Sequence, residues 1–188
     1  MDAESTYANG GYADPATIRR ILQDTGDTWA VVGLSGNRSR AAFGVAEVLQ
    51  RFGKRVVPVH PKAETVHGER GYASLADIPF PVDVVDVFVN SELAGAIADE
   101  AVAVGAKAVW FQLGVVDPDA FARTRAAGLD MIMDRCPAIE LESLRQDRLG
   151  RALNSVRAAR MDGLDERGAD PRIGSRPRSP GRVYRAPA

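Results

Sequence analysis

Cysteine is nearly absent. Cys136 stands alone, so no disulfide can close within the chain. Histidine is almost as scarce, and His60 and His67 beside one cysteine make a poor inventory for a metal site. No run of about 18 apolar residues occurs, so no membrane-spanning helix is expected. The opening segment MDAESTYANGGYADP is polar and acidic. It carries neither a basic n-region nor an apolar h-region, and no signal peptide is expected. These scarcities point to a soluble protein of the cytoplasm.

The chain has 188 residues, 45% hydrophobic and 26% charged, enough for one ordinary domain with a core. Its net charge of -1 conceals an asymmetry. Residues 1–142 hold 13 Lys+Arg against 20 Asp+Glu, a net of -7; residues 143–188 hold 11 against 5, a net of +6. An acidic body argues against nucleic-acid binding by the core, so any function of a basic surface belongs to the tail.

Asp14-Pro15 predicts a helix start, with Asp as N-cap and Pro at the first helical position. Ile18, Ile21 and Leu22 supply its apolar stripe, and Gly26 ends it. The run from Trp29 to Leu34 is too continuously apolar for a half-exposed strand and reads as a buried parallel one. Ala41 to Phe52 repeats at helical spacing, and VVPV forms a second strand. Gly71-Tyr72 reads as a short strand, and Ser74 to Ile78 as a helical turn stopped by Pro79. Val82 to Val89, Lys107 to Leu113 and Leu129 to Met133 read as further strands, separated by helices over Leu93–Val104 and from Asp117-Pro118 to Ala127. This alternation predicts an α/β fold with a doubly wound, mainly parallel sheet of about five strands and helices on both faces. Leu141, Leu144, Leu149, Leu153 and Val156 predict one more amphipathic helix. The organisation expected is a flexible N-terminus over 1–14, a domain over 15–145, a helical extension over 146–161, and a disordered Arg/Pro-rich tail over 162–188.

In such a sheet, ligands sit beyond the carboxyl ends of the strands. That singles out Gly33–Arg40, Val59–Lys62, Val89–Glu92, Gln112–Val115 and Asp134–Cys136. The first joins a buried strand to a helix, and a helix N-terminus offers unpaired N–H groups and partial positive charge to a phosphate. Gly33 lets the backbone approach a ligand, while Ser35, Asn37 and Ser39 add donors. Arg38 and Arg40 are unfavourable for the helix dipole, which suggests that they face an anion. The dinucleotide fingerprint G-x-G-x-x-G is absent, and His60-Pro61-Lys62 stands where an NAD site wants an acidic residue. Lys62 suits a phosphorylated ribose instead, as in NADP or the 3′-phosphate of coenzyme A. Asp83 reads as the start of its strand. Asp86 reads as a strand-interior residue that needs a partner, with a crossover helix the expected neighbour.

Taken together, GLSGNRSRAAFGVAEVL, VVPVHP, YASLADIP, VDVVDVFV, GAKAVWFQLGV and MDRCPAIE resemble the small bacterial CoA-binding proteins. These share the CoA-binding, Rossmann-like domain of the succinyl-CoA synthetase α subunit. The resemblance covers about residues 15 to 145. It implies CoA as the bound cofactor, with Gly33, Ser35, Asn37, Arg38 and Ser39 around its phosphates and Pro61 and Lys62 beside the adenosine. It also implies Val89 and Asn90 along the adenine or pantetheine path, and Gln112, Leu113 and Gly114 at the pantetheine end. His60 stands where the family more often has asparagine, and Asn90-Ser91 replaces a more basic or proline-containing turn.

No Ser-His-Asp set and no reasoned pair of carboxylates emerges, so the expectation is a protein that binds CoA or an acyl-CoA rather than an enzyme. The alternatives are an NADP-binding oxidoreductase-like protein and an interaction protein acting through its basic tail. Cys136 reads foremost as a small core residue. Placed near the CoA thiol, it could instead form a mixed disulfide.

Overall fold

Continuous apolar runs become fully buried strands. A computed structural model describes residues 11–165. Its strands are β1 (Thr28–Val32), β2 (Arg55–Val59), β3 (Val84–Val87), β4 (Ala108–Phe111) and β5 (Asp130–Ile132). They form one sheet in the order β2-β1-β3-β4-β5, with every neighbouring pair parallel. Every residue of β3 and β4 is buried, as expected for strands covered on both faces.

The helices are α1 (Pro15–Gln23), α2 (Ala41–Arg51), α3 (Ser91–Ala103), α4 (Pro118–Ala126) and α5 (Pro137–Asp165), with a 3-10 turn at Leu75–Asp77. Ile18, Ile21 and Leu22 of α1, Val45, Ala46 and Leu49 of α2, and Leu141 of α5 pack on one face with Trp29, Val31, Val84 and Trp110. Ala94, Ala98 and Ala101 of α3 and Ala120 of α4 cover the other face, against Val85, Val87, Val109 and Phe111. Small alanines let those helices lie close to the sheet. The result is the doubly wound α/β architecture that the alternating pattern predicts.

The chain divides into two compact units, Met1–Arg145 and Gln146–Ala188, and the first holds the sheet. In the second, Leu149 and Leu153 are exposed. Within the segment 1–14, Tyr12 packs edge-on against Phe121 at 4.9 Å, and Asp14 caps α1 by accepting the Thr17 N–H at 2.8 Å. Residues 1–10 and 166–188, where most of the expected flexible start and basic tail fall, lie outside the described residues.

Several strands are shorter than the apolar runs that announce them. β1 stops at Val32 because Gly33 turns with φ 97°, and Leu34 folds back into the core. β3 begins at Val84, and just before it the Asp83 carboxylate accepts the Thr28 N–H at 3.0 Å and pairs with Lys107 Nζ at 2.7 Å. α3 starts two residues earlier than its apolar pattern, since Asn90 acts as N-cap and accepts the Leu93 N–H at 3.1 Å.

Candidate functional site

The strand order reverses direction between β1 and β3, and the crevice at such a switch point is where open α/β sheets take their ligands. A groove of about 1150 Å³ lies there. Gly33, Ser35, Gly36, Asn37 and Arg40 form one wall, His60, Pro61, Lys62 and Glu64 a second, and Phe88, Val89, Asn90, Leu93 and Ile97 a third. Arg40, Lys62, Glu64 and Glu100 bring charge to its lining, and Leu75, Phe88, Leu93 and Ile97 bring apolar surface.

Backbone geometry shapes the turn that follows β1. Gly33 is tightly placed: a Cβ there would sit 3.2 Å from the Phe88 Cβ and carbonyl oxygen, and its φ of 97° disfavours a side chain. Asn37 closes a local turn, its Oδ1 accepting from the Ser39 N–H at 3.0 Å and the Ser39 hydroxyl at 2.8 Å. Arg40 then stands at the N-cap of α2 with no side-chain capping bond and no acidic residue in the first turn. The positive end of that helix therefore adds to the Arg40 charge. The Gly36 N–H donates to Glu64 Oε2 at 2.8 Å, so a carboxylate oxygen stands where a phosphate oxygen would fit.

The second wall is folded back on α2. His67, left-handed at φ 51°, stacks on Phe43 with ring centroids 4.0 Å apart, and its Nε2 lies 2.9 Å from the Phe43 carbonyl. Tyr72 bridges to the end of β2, with His60 N–H donating to its carbonyl at 3.0 Å. The short strand anticipated at Gly71-Tyr72 does not form; this isolated bridge at Tyr72 stands in its place.

Of the residues singled out from sequence, Gly33, Ser35, Asn37, Pro61, Lys62, Val89 and Asn90 come together on the groove. Arg38 and Ser39 do not line it. The Arg38 guanidinium lies 5.7 Å from the Phe43 ring centroid, and Ser39 is occupied in the Asn37 turn. Gln112 and Gly114 also stand apart from the groove walls. Gln112 is buried and donates through Nε2 to Asp86 Oδ1 at 2.7 Å, while the Gly114 N–H donates to Asp134 Oδ1 at 2.8 Å. Asp86 thus finds its partner on the end of β4, not on a crossover helix. Burial pushes its carboxyl up to about 8, against the opposing pull of the Gln112 bond. Its Oδ2 is one of three buried side-chain atoms without a hydrogen-bond partner among the described residues. Cys136 is packed in the core beside α1 and α2 and is not among the groove walls.

Glu64 falls outside every segment singled out from the sequence, as do Thr65, Leu75, Leu93, Ile97 and Glu100, and it meets Gly36 of the first turn. Their contact spans 28 positions, and no local periodicity announces it.

Sheet and switch-point groove define a Rossmann-like domain. The chain belongs to the CoA binding domain family, whose pattern matches residues 27–142. It is 35% identical over 121 residues to YneT of Bacillus subtilis (strain 168), a match spanning 64% of this chain and 89% of that one. A hypothetical protein from Pyrococcus horikoshii OT3 shares 38% identity at a TM-score of 0.65, over 69% of this chain and 90% of its own. A Thermus thermophilus structure shares 34% at 0.64, over 69% of this chain and 97% of its own. Among the described residues, no helix is long and apolar enough to cross a membrane.

Proposed function

We propose that the chain binds coenzyme A, free or acylated, in the groove between the ends of β1, β2 and β3, and acts as a binding protein rather than a catalyst. Residues 15–145 carry this activity. The observation that carries the reading is the groove at the switch point, lined both by a basic, N–H-bearing turn and by apolar side chains. CoA combines the same two characters, phosphates and a long, weakly polar pantetheine arm. Membership of the CoA binding domain family supports the same ligand. Gly33, Ser35, Gly36 and Arg40 hold the phosphates, with Lys62 and Pro61 beside the nucleoside. Asn90 and Val89 border the arm. Arg38 and Ser39 support the turn from outside, and Gln112 and Gly114 brace the neighbouring strand ends.

Isothermal titration of the purified protein with CoA and, separately, with NADPH tests this. CoA is expected to bind and NADPH to bind far more weakly. NADPH binding without CoA binding overturns the reading.

A further inference from the structure

Glu64 is placed among the groove walls by more than its own side chain. Ala63 adopts a left-handed backbone at φ 47°, which turns the chain so that Glu64 faces the Gly33–Arg40 turn. Gly71 lies directly beneath, and a Cβ there would run into the Glu64 carbonyl oxygen. Across the groove, Gly36 sits so close that a Cβ would come 3.3 Å from Glu64 Oε2. The carboxylate takes the Gly36 N–H at 2.8 Å, and its other oxygen lies 4.0 Å from Lys62 Nζ. One side chain thus engages both a backbone donor and a cation that would serve an anionic ligand.

We propose that Glu64 is an internal competitor for the anion position at Gly36 and so sets the selectivity of the groove. This rests on the reading of the groove as a phosphate-binding site. A phosphate oxygen and the Glu64 carboxylate cannot share the Gly36 N–H, so the carboxylate must swing out as the ligand enters. A ligand with one weakly anchored phosphate recovers little beyond what it displaces. A ligand whose phosphates also reach Arg40 and Lys62 recovers more, because Lys62 is released from Glu64 in the same event. The device favours polyphosphate ligands over single phosphates.

The test compares wild type, E64Q and E64A by titration with CoA and with inorganic pyrophosphate. The glutamine side chain of E64Q keeps a carbonyl that can accept the Gly36 N–H, so this variant removes charge alone; E64A removes the contact as well. A unit charge about 4 Å from an anion in water is worth about a fivefold change in binding. Both variants are expected to bind both probes about fivefold more tightly, and inorganic phosphate, titrated beside them, to gain more than pyrophosphate does, so that the preference for two phosphates over one narrows; an unchanged preference overturns the selectivity role. Because the groove is open, the gain should shrink toward nothing at about 1 M salt. Unchanged or weaker binding in E64Q, or a gain that salt does not diminish, overturns the proposal and makes Glu64 a structural strap. If wild type fails to bind CoA, the functional reading falls, and the pyrophosphate titrations alone decide the role of Glu64.

Discussion

Replacing Asp86 with asparagine should make the protein more stable, and the gain should grow with pH. The carboxyl is fully buried on β3, accepts one hydrogen bond from Gln112, and leaves Oδ2 unpartnered. Its folded value of about 8 lies far above the ordinary 3.8. A carboxyl raised on folding stabilises the fold fully below its unfolded value and loses that contribution as pH rises through its folded value. Between those limits the unfolded chain releases a proton that the folded chain keeps, at about 1.4 kcal/mol per pH unit. The asparagine of D86N is nearly isosteric with the aspartate, still accepts the Gln112 bond and does not titrate. From pH 5 to pH 7, the stability of D86N minus that of wild type should therefore widen by about 2.7 kcal/mol. Urea denaturation of both proteins at the two pH values measures this, since the other carboxylates cancel in the difference. A gap that stays constant across this range would refute the buried, protonated state of Asp86.

Removal of Arg40 as R40A should weaken CoA binding by about tenfold or more, the worth of a charge-assisted contact, with the thermal midpoint unchanged. R38A, outside the groove wall and over the Phe43 ring, should cost less, and titration calorimetry ranks the two. G33A places a Cβ against Phe88 at a left-handed position, and should lower stability by about 1–3 kcal/mol in thermal unfolding. Q112L removes the donor to Asp86 and should cost about 1–3 kcal/mol in denaturation while leaving CoA affinity intact, because Gln112 lies off the groove. Loss of CoA affinity in well-folded Q112L would place that residue in the site.

The sheet was readable because parallel strands covered on both faces leave long apolar runs, such as the one through Val84–Val87. Their ends were not, because Gly33 and Asn90 stop or start elements through backbone conformation and capping. The groove was half legible. Gly33, Ser35, Asn37, Pro61 and Lys62 follow their strands directly, so position along the chain already places them at the ligand edge. Gln112 and Gly114 sit at an equivalent edge, yet their contacts go to Asp86 and Asp134, which only tertiary pairing reveals. Glu64 escaped notice for the same reason. Its meaning comes from Gly36, on another crossover.

A set of ion pairs in the body gathers at the pole opposite the groove. Lys54, buried, reaches Asp27 and the Gly26 carbonyl; Lys107 joins Asp83 to the Thr25 carbonyl; Arg20 and Arg125 share Asp130. These bonds stitch the starting ends of the strands, and the loops at the finishing ends are left to shape the cavity. Ion pairing is thus concentrated at one pole of the sheet and the groove lies at the other. Exchange of an exposed loop at the finishing pole would leave every one of these pairs untouched.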